Sequence, residues 1–301
     1  WRIWSMPIKP KRGFTLIELL VVIAIIAVLV GLTVVVASAM MDRAKSTKDL
    51  SNNKAIAQAN WSHSTDNKGR LFSPRIWEVD QSFNEIDDET RNSINSRLWM
   101  KSFDDGVDAD GLELPLAFED GVAYQYIGNI EAYKSPLDPH YRLRSYSLSA
   151  YIGVEYCIDE FEDYSQSSWQ NNFVSTLTAS QISHPGKTLC SITEDEVRNN
   201  GVNVNGFMMH PRYVVPESFP IWWYDFPALW SPAGVAVSNM DGSVEVVPLT
   251  TDALHEGWDF IRENLNGSQP EKWVDLDKRS KHDYDLLRKK MLPGHIGSIL
   301  D

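Results

Sequence analysis

Positive charge is scarce in this chain: 28 Lys and Arg stand against 41 Asp and Glu, a formal net charge of −13. Four of the basic residues, Arg2, Lys9, Lys11 and Arg12, fall within the first 13 positions, where there is no acid. A cut after Gly13 would therefore leave a body of −17. Phosphate-rich partners are repelled by such a body, which argues against nucleic acid. Cysteine is scarcer still. Cys157 and Cys190 are too few for a disulfide scaffold or a structural zinc site. Outside the cytoplasmic membrane they could form one disulfide, and two buried thiols fit the sequence equally well. Catalytic signatures are absent too. There is no GxSxG, no phosphate loop and no HExxH, and the seven histidines show no paired spacing. No catalytic residue is assigned, and the chain is expected not to be an enzyme. Disorder throughout is excluded by 43% hydrophobic and 23% charged residues, which suit a folded body with a core.

Long hydrophobic runs are lacking except for one. Leu19 to Met41 is 23 residues without a charge. As a helix it spans about 34 Å, enough to cross a hydrocarbon core of about 30 Å. It is too long for the apolar core of an ordinary cleavable signal, and the basic residues precede it. This predicts a cytoplasmic N-terminus and an exported remainder. Glu18 sits at the start of this run, where an unpaired carboxylate is costly. A cut between Gly13 and Phe14 would supply its counter-ion: a free amine at Phe14, four residues away on the same helical face.

The segment KRGFTLIELLVVIAIIAVL, residues 11–29, resembles the prepilin-type N-terminal cleavage and methylation signal of type IV pilins and type II secretion pseudopilins. The resemblance implies that a prepilin peptidase cuts between Gly13 and Phe14 and methylates the new amine. It also implies that Glu18 guides the subunit into a growing filament. The implied partners are that peptidase, other pilin or pseudopilin subunits and an inner-membrane assembly platform. The implied location is a single-pass inner-membrane protein with a periplasmic head, later a periplasmic or extracellular filament. Trp1 is not an initiator, whereas Met6 opens a short leader, MPIKPKRG; WRIWS reads as upstream sequence.

After Met41 no Pro or Gly occurs until Gly69, and Met40, Ala44, Thr47, Ser51 and Ala55 keep a 3–4 spacing. This predicts one helix to about Thr65, stopped by Asn67-Lys68-Gly69. Beyond Arg70 the pattern turns to short β-prone runs. Strands are expected over 122–127, 145–154 and 187–193. A hairpin is expected over 235–247, with Asp241-Gly242 as a two-residue turn. Short helices are expected near 84–103 and over 283–292. The fold class is thus α+β: a long N-terminal helix, transmembrane in its first half, packed on a β-rich globular head. The expected boundaries are a leader at 1–13, the helix at 14–66, the head at 67–265 and a tail at 266–301.

A broader resemblance covers the body. LSNNKAIAQANWSHSTDNKGRLFSP, YKSPLDP, RSYSLSAYIG, ISHPGKTLCSITEDE and VAVSNMDGSVEVV resemble successive segments of a large pilin-like family abundant in planctomycete and verrucomicrobial genomes. The chain departs from that pattern where Ser135 stands for a Cys and Ser243 for a His. Both changes put a metal or redox role of those positions in doubt.

Two clusters are candidates for binding. Asp104, Asp105, Asp108, Asp110 and Glu113 place five carboxylates in ten residues, with Gly106 and Gly111 allowing tight turns, a donor set suited to calcium. Some pseudopilins hold calcium in a loop. An EF-hand register fails here, with Gly106 first and Ala117 last, and a solvated acidic loop accounts for the residues without an ion. FPIWWYDFPALW, residues 219–230, holds Trp222, Trp223, Tyr224 and Trp230 among six aromatics. It is either a stacking platform or subunit contact, or a core block of the head. The functional expectation is a filament subunit. The alternatives are a membrane-anchored extracellular carbohydrate-binding protein and an anchored hydrolase with a site assembled from distant residues.

Overall fold

The computed structural model describes residues 14–76, 87–101, 114–153, 176–195, 206–209, 223, 225–249, 252–263 and 278–291. The chain divides into two units, Trp1–Ala44 and Lys45–Asp301. The elements in order are α1 (Leu16–Asp66), α2 (Asp88–Asn95), α3 (Pro115–Glu119), α4 (Tyr124–Ile127), β1 (Tyr146–Leu148), β2 (Leu189–Thr193), β3 (Val235–Asn239), β4 (Val244–Val247), α5 (Asp252–Glu263) and α6 (Lys281–Met291).

In the first unit, α1 is long and apolar enough to cross a membrane. Every side chain described there is exposed, Leu16 and Phe14 most of all among the large apolar ones. The same helix continues into the second unit and ends where expected. Lys68 (φ 57°) and Gly69 (φ 84°) turn left-handed, and the Gly69 N–H donates to the Ser64 carbonyl at 2.7 Å, closing the last turn.

The head of the second unit is built on a four-stranded antiparallel sheet in the order β1-β2-β3-β4. Register pairs Ser147 with Ile192, Ile192 with Val237 and Ala236 with Val246. Because side chains alternate along a strand, the two faces differ. One meets α1 through Ser191 and Thr193, with Ser238 bonded to Ser191. The other carries Ile192, Val235, Val237 and Val247 into a core with Phe207, Trp223, Leu254, Tyr284, Leu287 and Met291. A second core gathers Ile56, Ala57, Phe72, Trp99, Phe118, Tyr133, Tyr146 and Leu148 around the end of α1. This is an α+β, pilin-like arrangement.

Several local expectations are corrected. Residues 122–127 form no strand: Tyr124–Ile127 is a helical turn, stopped by Gly128 at φ 67° with its N–H on the Tyr124 carbonyl. The alternation there comes from residues leaning on the second core as the chain reverses. The paired part of 145–154 is only Tyr146–Leu148, because Ser149 and Ile152 make isolated bridges and Gly153 is left-handed. At Gly153 a Cβ would lie 1.5 Å from the Phe72 carbonyl oxygen, so this close approach admits only glycine. The second strand begins at Leu189, since Pro185–Lys187 is a 3-10 turn. The hairpin closes with three residues, Met240, Asp241 and Gly242, between Asn239 and Ser243, whose backbones bond at 2.9 Å. Gly242 takes the left-handed position that such loops require. The helix expected near 84–103 is Asp88–Asn95 among the described residues, capped by Asp87 on the Thr90 N–H. The tail helix is Lys281–Met291 and docks on the head. Neither α3 nor α5 was signalled by the pattern.

Candidate functional site

Gly13 lies outside the described residues. Phe14 is exposed, and the chain enters α1 immediately after it. Thr15 and Glu18 form a reciprocal cap. The Thr15 N–H and hydroxyl both donate to Glu18 Oε2 at 2.8 Å, and the Glu18 N–H donates to Thr15 Oγ1 at 3.3 Å. A carboxylate at this position satisfies helix-start donors and faces the positive end of the helix dipole. In the uncut chain Glu18 thus already has partners within one turn, and the Phe14 nitrogen is still a peptide amide. The Thr15-x-x-Glu18 spacing carried this signal in the sequence, and it went unread there.

Past the apolar run, α1 meets the sheet through polar side chains. Asp49, Asn52, Asn53, Asn60 and His63 are all buried. Tyr146 donates to Asp49 Oδ1 at 2.7 Å, and Asn52 donates to the Lys134 carbonyl at 2.9 Å. Ser191 donates to Asn53 Oδ1 at 2.8 Å, and Asn53 Nδ2 donates to Thr193 Oγ1 at 3.3 Å. Asn60 accepts from the Phe72 N–H at 2.8 Å and points its amide at Cys190 Sγ, 3.6 Å away. Burial pushes the Asp49 carboxyl up, against hydrogen bonds from Ser135, Tyr146 and Thr193. The spaced small or apolar residues Met40, Ala44, Thr47, Ser51 and Ala55 do not form this seam; the first four are exposed and Ala55 is half-buried.

The Asp104–Glu113 cluster, Trp222, Tyr224 and Cys157 lie outside the described residues. Cys190 is a buried free thiol, and burial pushes it up to about 12, so it is unreactive where it stands. Trp223 is fully buried, with Nε1 donating to Ser280 Oγ at 2.8 Å and its ring edge-on to Tyr284. Trp230 is half-buried and donates to Asp195 Oδ2 at 3.2 Å.

Around that last contact lies a knot that no sequence pattern signals. Asp138 accepts from Arg142 Nε and Ser145 Oγ, both at 2.6 Å. Arg142 also donates to the Glu194 carbonyl and lies over the Trp230 ring. Ser147 Oγ bonds Glu194 Oε2, and His140 Nε2 stands 3.3 Å from Asp195 Oδ1. Each acid here is engaged by protein donors, which makes the knot a fastening between loop 133–145 and the end of β2. Among the described residues no group of three or more His, Cys, Asp or Glu could hold a metal.

The family model described as the prokaryotic N-terminal methylation motif matches residues 8–34. No curated protein and no solved structure matches the chain. The chain therefore carries a prepilin-type signal on a long apolar N-terminal helix and is pilin-like. The motif implies processing by prepilin peptidase and pilin-like assembly.

Proposed function

We infer that this chain is a structural subunit of a type IV pilus-like or type II secretion pseudopilus-like filament. It enters the inner membrane as a precursor with its N-terminus in the cytoplasm and its head in the periplasm. A prepilin peptidase then cuts the Gly13–Phe14 bond and methylates the amine, and the subunit polymerises through α1. The observation that carries this reading is the methylation motif at residues 8–34, set on a helix whose described apolar side chains in the first unit are exposed. Cleavage turns the Phe14 amide into a cation beside Glu18. A carboxylate that caps its own helix then gains a charged partner, in its own chain or a neighbour's.

The wider resemblance of the head is consistent with the large planctomycete and verrucomicrobial pilin-like family. Its segments converge in this chain: Asp138 holds Arg142 and Ser145, Arg142 in turn donates to the Glu194 carbonyl, and β1, β2 and the hairpin share one sheet. The test is intact-mass and N-terminal analysis of the membrane-extracted protein. The expected mature chain begins at N-methylated Phe14, and a chain retaining residues 1–13 in cells with an active peptidase sinks the processing claim.

A further inference from the structure

Basic residues, scarce overall, gather just past the apolar run. Residues 42–48 hold Arg43, Lys45 and Lys48 against one acid, Asp42, whereas from Asp49 onward 39 acidic residues face 21 basic ones. Arg43, Lys45 and Lys48 are all exposed, and α1 runs unbroken through them. At about 100° per residue, Arg43 points about 160° round from Lys45, and Lys48 about 60° the other way. A protein seated against one side of the helix would meet part of this ring. A layer of headgroups surrounds the helix and meets all of it.

Depth along the axis agrees. Counted from Met41, the three residues lie about 3, 6 and 10 Å further on. That is the headgroup layer outside a hydrocarbon core of about 30 Å, within reach of side chains this long. Basic residues on this flank also oppose the orientation set by the four in the leader. A neutral polar linker would carry no such penalty.

We propose that Arg43, Lys45 and Lys48 form a collar that binds anionic phospholipid headgroups in the exported-side leaflet. The proposal rests on the reading that residues 19–41 span the membrane. Each charge at an anionic surface changes local affinity by about fivefold, partly offset here by Asp42. The acidic head is repelled by the same surface, so the collar supplies a local, salt-sensitive attachment that the rest of the chain opposes.

The test reconstitutes the full chain in phosphatidylcholine bilayers with trace spin-labelled phosphatidylglycerol or phosphatidylcholine and reads the motionally restricted lipid. A several-fold preference for phosphatidylglycerol is expected at about 0.05 M salt, fading near 0.5 M. The preference should vanish in the Arg43→Gln, Lys45→Gln, Lys48→Gln variant and survive in Arg43→Lys. No preference, or one unchanged in the triple variant, overturns the collar. So does crosslinking of Lys45 and Lys48 to acidic residues of a second copy without lipid preference. Alkaline extraction of the same samples reports the span itself. A chain that washes off sinks the membrane reading, and an embedded chain without preference sinks only the collar.

Discussion

His63 closes the last turn of α1 with its ring against Phe72, 4.7 Å between centroids, and edge-on to Tyr126. It is 4% exposed, and its Nε2 is buried without a hydrogen-bond partner. Burial first, and the Arg97 charge second, push it down from 6.5 to about 4, with Asp66 pulling the other way. The neutral ring is thus favoured in the folded head. Its contribution is complete above about pH 6.5, falls as pH drops towards 4, and is gone below that, a loss of roughly 2–3 kcal/mol. Asp49, whose carboxyl is raised, acts in the opposite direction. Thermal melting of the detergent-solubilised full chain should show an acid limb between pH 6.5 and 4 that is flattened in His63→Gln. An unchanged limb overturns the assignment. Nothing in the sequence marked His63, because burial at a helix end is set by Phe72 and Tyr126 arriving from elsewhere. Glu18 is the opposite case. Its neighbours along the chain decide its bonds, so motif and cap were both within reach of the sequence.

At the scale of elements, local rules were legible and pairing was not. The length of α1, its Asn67-Lys68-Gly69 stop and the closing hairpin follow from patterns within a few residues. The face that α1 buries does not. Asn53 and Asn60 look solvent-directed in the sequence, yet their partners Ser191, Thr193, Cys190 and Phe72 come from β2 and the chain after the helix. Buried amides are tolerated because both ends are bonded, and that requirement fixes how α1 lies on the sheet within the head. Asn60→Ala leaves the Phe72 N–H buried without its acceptor. The expected cost is about 1–3 kcal/mol, read as a lower melting temperature with filament-helix insertion unchanged. An exposed control, Gln58→Ala, should stay within about 0.5 kcal/mol. Equal effects of the two would show that the seam adds nothing specific.

Across the whole molecule, one sheet face meets α1 through bonded polar side chains beside the second core, and the other carries an apolar core closed by α5 and α6. Tyr284, Leu287 and Met291 put the tail helix in the head's own core. Trp223 belongs to the same core, so its loss would unfold the head before it could report on any ligand. Fully burying each of the three α6 side chains contributes about 1.5–3 kcal/mol. Together that rivals the 5–15 kcal/mol by which a typical domain is stable. A chain stopped after Asp277 should therefore lose near-UV circular dichroism and become sensitive to limited proteolysis, while still inserting through α1. Lys290→Ala removes only the ion pair with Glu245, 2.5 Å long and partly exposed, and should cost under about 1 kcal/mol. If the truncated head stayed protease-resistant, α6 would be an accessory to the fold rather than one side of its core.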